Sequence, residues 1–181
     1  VPLIIYLPII FYMLYISIYD YNTEALSIIG LIIFGLLIWT ITEYLLHRFV
    51  FHLELKSELG KKIHFIFHGV HHDYPSDSRR LVMPPSVSLL LAVLFYFLFR
   101  TLIGLQDVHP FFAGFLAGYL FYDMTHYAVH HFSMHSKFWL AIKNHHIKHH
   151  YQYPNKGYGV SSPLWDFIFR TYFINKREQK T

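Results

Sequence analysis

The sequence predicts an all-α integral membrane protein, with about four membrane-spanning helices under a polar helical cap that holds a di-metal histidine site. Three observations predict it. The composition is 54% hydrophobic and 20% aromatic but only 14% charged, against roughly 25% charged residues in soluble domains, and the mean hydropathy is +0.32. Four stretches, residues 3–19, 26–46, 86–105 and 111–127, approach the ~20 apolar residues that a bilayer-crossing helix needs. Finally, fifteen histidines in 181 residues, with no cysteine, gather in clusters that border these stretches.

The elements follow in chain order. Residues 3–19 carry Pro8 and four tyrosines, so this helix is expected to tilt or kink. It lacks a basic leader and a small-residue cleavage site, and reads as a retained span rather than a signal peptide. The second span, 26–46, leads into a polar segment, 47–85. Within it Asp73 to Arg80, with Pro75 and two serines, reads as an irregular loop, and Pro84-Pro85 punctuates the entry to the third span. Gly104 to Pro110 is expected to form the turn into the fourth span, 111–127, which continues into a histidine cluster. The second polar segment, 128–181, contains a glycine- and tyrosine-rich loop and then Leu164 to Phe169, a short amphipathic helix suited to an interface. No linker or short repeat divides residues 1–181, which read as one domain. Two spans and a polar segment occur twice, so that 47–85 and 128–181 can meet on one membrane face as the cap.

Charge sets the orientation. Arg48, Lys56, Lys61, Lys62, Arg79 and Arg80 follow the second span; Lys137, Lys143, Lys148, Lys156, Arg170, Lys176, Arg177 and Lys180 follow the fourth. The opposite side offers Arg100 beside Asp20, Glu24 and Asp107. By the positive-inside rule, both polar segments and the histidine clusters face the cytoplasm of a multi-pass protein, in a bacterial inner membrane or the endoplasmic reticulum. The net charge of +4 and pI near 9.2 therefore reflect topology and anionic headgroups, not a nucleic-acid partner. The missing cysteines exclude disulfides and thiolate metal sites.

The histidines carry the chemistry. On a helix, residues three or four apart share a face, so His68, His71 and His72 can point at one site. His126 and His130 form another pair, and His146, His149 and His150 repeat the first pattern. His47 and His52 are five apart, off a common α-helical face; either the helix ends between them or they serve different metals. Ten histidines over two ions give about five each, which leaves room for oxygen or water rather than a closed tetrahedral site. Imidazole suits iron, zinc, copper or nickel, whereas magnesium and calcium prefer oxygen. Spacing alone does not choose among these. Apolar spans suit an alkyl chain, whose C–H bonds require oxidation, so a redox metal is favoured over hydrolytic zinc, although purified material can hold zinc, which binds such sites more strongly than ferrous iron. Ligating histidines commonly hydrogen-bond a carboxylate. Glu43, Asp73 and Asp123 are placed for that role, and His64, His131 and His145 for backing or capping roles beside better-placed neighbours. His109 and His135 stand apart from the clusters.

Six stretches carry a resemblance. They are Glu43-Tyr44-Leu45-Leu46-His47-Arg48-Phe49-Val50-Phe51-His52, His64-Phe65-Ile66-Phe67-His68-Gly69-Val70-His71-His72, Ser78-Arg79-Arg80-Leu81-Val82-Met83-Pro84-Pro85, Tyr122-Asp123-Met124-Thr125-His126-Tyr127-Ala128-Val129-His130-His131, Lys143-Asn144-His145-His146-Ile147-Lys148-His149-His150, and Gly157-Tyr158-Gly159-Val160-Ser161-Ser162-Pro163-Leu164-Trp165-Asp166. Together they resemble the fatty acid hydroxylase superfamily of membrane non-haem di-metal enzymes, and within it the fatty acid 2-hydroxylases of sphingolipid acyl chains. The resemblance implies an O2-dependent di-iron monooxygenase that inserts a hydroxyl at carbon 2 of a fatty acyl chain, free or in a ceramide-type lipid. By motif match, the implied metal ligands are His47, His52, His68, His71, His72, His126, His130, His146, His149 and His150. Arg79, Arg80, Tyr151, Tyr153 and Asn155 are then placed to hold the lipid head group, and Trp165 to line the entrance. Many relatives carry a fused cytochrome b5 domain with a His-Pro-Gly-Gly motif; here His109-Pro110 is followed by Phe111. Electrons are expected from a separate protein such as cytochrome b5 or ferredoxin, or from a domain outside this sequence. Two other readings compete: a sterol or carotenoid oxygenase of the same superfamily, and a non-enzymatic membrane metal-binding or transport protein. Transport would require ionisable residues along the spans, where only Glu43 and Asp123 lie.

Overall fold

The computed structural model describes residues 2–53, 56–77, 81 and 83–173; the side chains of Ile63 and Phe67 lie outside that description. Every regular element among the described residues is helical. In order these are α1 (Pro2–Tyr15), α2 (Ala25–Leu46), α3 (Glu58–His64), α4 (Val70–Asp73), α5 (Pro85–Ile103), α6 (Leu105–His131), α7 (Lys137–Tyr151) and α8 (Leu164–Ile168), with π-helical turns at Ile16–Asp20, His47–Phe51 and Phe65–Gly69. The starts follow local chemistry. Ser57 and Ser136 cap α3 and α7 by accepting the amides of Gly60 and Trp139 at 3.1 and 3.3 Å, which satisfies donors that a helix start leaves open. Pro85 opens α5, where its missing N–H costs nothing.

Contacts divide the chain into two compact units, Val1–Thr42 with Val82–Met124 and Glu43–Leu81 with Thr125–Thr181. The first contains α1, α5 and most of α2 and α6. Its core is built on α6: Val108, Phe112, Phe115, Leu116, Tyr119 and Leu120 pack with Tyr6 and Ile10 of α1 and Trp39 of α2. Trp39 meets Phe115 and Tyr119 edge-on, at centroid distances of 5.1 and 5.3 Å. Close approach of α2 and α6 depends on glycine. A Cβ on Gly35 would fall on the Phe111 carbonyl oxygen, and one on Gly114 on the Ile32 carbonyl oxygen. Small residues at such crossings let helix backbones touch in an apolar setting.

Three helical stretches, Pro2–Asp20, Ala25–Phe51 and Pro85–Ile103, are long and apolar enough to cross a membrane, and few of their residues are buried. That outward apolar surface is the kind lipid covers. α6 differs from these three in being the buried helix of its unit, with Gly114 and Gly118 against Ile32 and Trp39 of α2. Its boundary corrects one expectation. The turn predicted from Gly104 to Pro110 is Gly104 alone, at φ +90°, and Pro110 lies inside α6. One left-handed glycine reverses the chain, and a proline in the second helical turn removes only one amide from the ladder.

Candidate metal centre

The second unit contains nearly all of both polar segments, and every clustered histidine. Ten of these form two groups. His47, His52, His68, His72 and His149 are group one; His71, His126, His130, His146 and His150 are group two. In each, one ring nitrogen from every member lies within 4.8 Å of the others. The groups adjoin: the rings of His72 and His150 stack with centroids 4.2 Å apart.

Local geometry explains the division. His47 and His52 reach one group because the chain between them is π-helical, with the His52 amide bonded to the His47 carbonyl at 3.2 Å. A residue spacing of five is one turn of a π-helix. His52 is the residue just past that π turn, so the helical stretch ends between the two histidines, the first of the alternatives left by α-helical spacing, and both fall in group one. The expectation that His68, His71 and His72 share one site is also corrected. His68 and His72 join group one and His71 joins group two. On α7 the split is reversed, with His146 and His150 in group two and His149 in group one. At 3.6 residues per turn, position i+4 lies about 40° from position i, while i+3 lies about 60° to the other side. A metal pair placed between such helices takes one face of each.

Within group one, Nε2–Nε2 distances are 3.2 Å for His47–His68, 3.1 Å for His52–His68, 3.1 Å for His52–His149 and 2.9 Å for His68–His72. In group two they are 2.9 Å for His71–His126, 2.9 Å for His130–His146 and 3.0 Å for His146–His150. Nε2 of His68 thus faces three other Nε2 atoms, and one proton can serve only one such contact. Converging lone pairs of this kind call for a cation. Two nitrogens bound about 2.1 Å from one ion stand about 3.0 Å apart at a right angle and about 3.4 Å apart at a tetrahedral one. The spacing and the five donors per group fit an ion with more than four coordination positions.

The ring protonation is set from behind. The His149 Nδ1–H donates to the Lys156 carbonyl at 2.8 Å, and the His47 Nδ1–H donates to the Tyr158 carbonyl. Each bond leaves Nε2 bare, the form that ligates a metal. Electrostatics agree. Burial, followed by neighbouring imidazoles, pushes His52 and His72 down to about 3. Burial takes His149 down to about 4, against the opposing pull of the Lys156 carbonyl. His68, His71, His146 and His150 are lowered for the same two reasons, burial first. At neutral pH these rings carry no charge of their own.

Two carboxylates sit behind the donors, and only one was legible in the sequence. Glu43, expected to touch a ligand, instead accepts the amides of Val160 and Ser161, each at 2.8 Å, and the Ser161 hydroxyl. Asp166, which sequence reading placed only in an interfacial helix, is fully buried. It accepts the amides of Tyr158 and Gly159 at 2.9 and 2.8 Å, the Thr171 hydroxyl at 2.7 Å and His145 Nε2 at 3.1 Å. Burial alone would raise its carboxyl, but these bonds outweigh it and hold the group below the usual carboxylate range. The signal that Asp166 had partners was its position between Trp165 and Phe167, an acid among apolar residues.

The remaining candidates fall elsewhere. Asp73 is exposed at the end of α4, and meets no histidine among the described residues. Asp123 is buried in the first unit, with Oδ2 unpartnered among the described residues. His64 and His131 belong to neither group, and His131 packs against the Tyr127 ring at 4.4 Å. His145 pairs with Asp166 rather than with a group member. His109 is buried in the first unit, stacked on Tyr21 at 5.3 Å with Tyr96 at 3.3 Å from Nε2, and His135 is exposed. Of the lipid-head candidates, Tyr151, Tyr153 and Asn155 are exposed beside α7, and Trp165 lies against Phe169. Arg79 and Arg80 lie outside the described residues.

Comparison with known proteins adds the family. The fatty acid hydroxylase family model matches residues 32–171. Fatty acid 2-hydroxylase of Rattus norvegicus is 43% identical over 155 residues, which cover 84% of this chain and 42% of that protein. Dihydroceramide fatty acyl 2-hydroxylase FAH2 of Arabidopsis thaliana is 40% identical over 170 residues, covering 92% of this chain and 70% of its own. A solved structure of full-length scs7p, with only the hydroxylase domain visible, matches at a TM-score of 0.91 and 37% identity, over 96% of this chain and 66% of that one. The chain thus spans less than half the length of the rat protein. It belongs to the fatty acid hydroxylase family.

Proposed function

We propose that the chain is an O2-dependent hydroxylase that places a hydroxyl on carbon 2 of a fatty acyl chain, free or in a ceramide-type lipid. The observation that carries this reading is the convergence of ten histidines, drawn from four separate stretches, into two adjoining five-histidine groups. Carbon 2 and the lipid class are those of the rat and Arabidopsis thaliana relatives, a fatty acid 2-hydroxylase and a dihydroceramide fatty acyl 2-hydroxylase. A redox-active metal such as iron, held in both groups, supplies the activation of O2 that oxidation of an alkyl C–H bond demands. One oxygen enters the product and the other leaves as water, so two electrons are needed, and a separate cytochrome b5 or ferredoxin is the donor in this reading.

The chain's own residues bind, orient and exclude water. The imidazoles are neutral and ready at physiological pH, so binding need not displace protons from a charged pocket. The Lys156 and Tyr158 carbonyls fix two rings by their Nδ1 atoms. The half-buried and buried rings pack on one another, which keeps bulk water off the site. The exposed Tyr151, Tyr153 and Asn155 would hold the lipid head group, and Trp165 would line the entrance. The exposed apolar faces of the three candidate spans support placement in a bilayer. The 27-residue length of α6 supports a fourth span, since about 20 residues suffice. The lysine and arginine bias of both polar segments supports a cap on the cytoplasmic side.

Lipid extracts from cells that express the chain with a working electron donor test this reading by mass spectrometry. The expected result is a gain of one oxygen located at carbon 2 of acyl chains. Unchanged acyl chains despite bound iron would contradict it, and oxygen on a sterol or carotenoid instead would assign a different branch of the superfamily.

A further inference from the structure

The two histidine groups are backed unequally. A neutral imidazole that ligates through Nε2 must carry its proton on Nδ1, so metal binding turns each Nδ1 into a donor that needs an acceptor. In group one, the two most deeply buried rings, His47 and His149 at 2% and 0% exposure, have that acceptor built in. Both acceptors belong to one loop, at Tyr158 and Lys156. In group two, Nδ1 of His71, His146 and His150 is buried with no partner among the described residues. A buried donor left unpaired opposes the event that creates it.

The loop is itself fixed at both ends by carboxylates. Asp166 takes the amides of Tyr158 and Gly159, and Glu43 those of Val160 and Ser161. Gly157, at φ +73°, enters the loop with its amide bonded to the Thr171 carbonyl at 3.0 Å. Thr171 in turn donates its hydroxyl to Asp166 and receives that of Tyr44, which is held by Arg48 at 2.8 Å. Four consecutive amides, residues 158 to 161, are therefore held by two buried carboxylates, which reach group one through the Lys156 and Tyr158 carbonyls of this loop.

Building on the metal-binding reading above, we propose that Asp166 and Glu43 are positioning residues for group one, and that the two groups are unequal metal sites, group one the tighter. The loop supplies two pre-aimed, correctly protonated rings to one ion, while the other ion is bound by a group in which His71, His146 and His150 have no Nδ1 acceptor among the described residues. Loss of such outer support typically weakens metal affinity about 10–100-fold, which sets the expected separation of the two sites.

The test is a Zn2+ titration of the chelator-stripped full chain in lipid nanodiscs, read against a chromophoric competitor. Two classes of site are expected, separated by about tenfold or more. His52→Ala should remove the tighter class and His130→Ala the weaker. Asp166→Asn places an amide NH2 against two donors, and should weaken the tighter class about 10–100-fold while leaving the weaker one in place. Should that variant fold poorly, Thr171→Val, which removes one hydroxyl from the same network, should still weaken the tighter class severalfold and spare the other. Two equal sites, or equal weakening of both classes by Asp166→Asn or Thr171→Val, would overturn the inference and leave the metal reading standing. Loss of the weaker class from His52→Ala would overturn it as well. No zinc bound by the folded wild-type chain would overturn both.

Discussion

Alanine at His146 is expected to reduce 2-hydroxylated product by more than about 100-fold, because loss of outer partners alone costs metal sites 10–100-fold. His146 is fully buried, and its Nε2 lies 2.9 Å from that of His130 and 3.0 Å from that of His150. Removing it leaves four imidazoles around a gap in group two. Alanine at His149 removes the corresponding member of group one, whose ring meets those of His47 and His52 at 4.7 and 4.8 Å. If both ions act as one unit, either single change inactivates, and the double variant is no worse than each single, the pattern expected of groups that act together. His135→Ala, exposed and outside both groups, should leave product unchanged. Product and bound metal measured on all four variants check this. Full activity in His146→Ala would remove group two from the chemistry.

The second large effect is on stability. Asp166→Ala should destabilise the chain by about 4 kcal/mol, since buried donors left without acceptors cost about 1–3 kcal/mol each. Four donors lose their acceptor: two backbone amides, the Thr171 hydroxyl and His145. Relaxation and entry of water reduce the simple sum. For a chain of this size the change corresponds to roughly 10 °C in Tm. Asp73→Ala, at an exposed carboxylate, should stay within about 0.5 kcal/mol. Thermal unfolding of the two variants in the same detergent measures the difference. A Tm for Asp166→Ala within a degree or two of wild type would mean that the loop is not held as described.

How much of this was legible from residues alone depends on the range of each interaction. The three long apolar helices were, because about 20 apolar residues in a row leave few other outcomes. So were the histidine clusters from which both groups are drawn, with His109 and His135 standing apart from them; singling out ten rested on the resemblance, because His64 and His145 also lie four residues from a group member. Their partition was not. Whether His71 sides with His68 or against it depends on which face of α4 meets which helix, and local spacing carries no such information. His47 and His52 were left undecided for a simpler reason: α-helical spacing offered a helix end or two separate sites, and it could not foresee the π turn that closes just before His52. Glu43 was noticed for its nearness to His47 but acts on backbone amides 117 and 118 residues away. Asp166 was passed over because its four partners include two amides and a hydroxyl, groups that every sequence contains and none advertises. The Gly104 turn was read six residues too long because proline is expected to end helices, whereas Pro110 sits inside one.

The most direct test is metal analysis combined with metal-edge X-ray absorption on the purified chain, stripped and then reloaded with ferrous iron. Two irons per chain, each surrounded by nitrogen at about 2.1 Å with the signature of several imidazoles, is the result that two five-histidine groups require. One iron or none in a folded chain, or irons ligated mainly by oxygen, would contradict it.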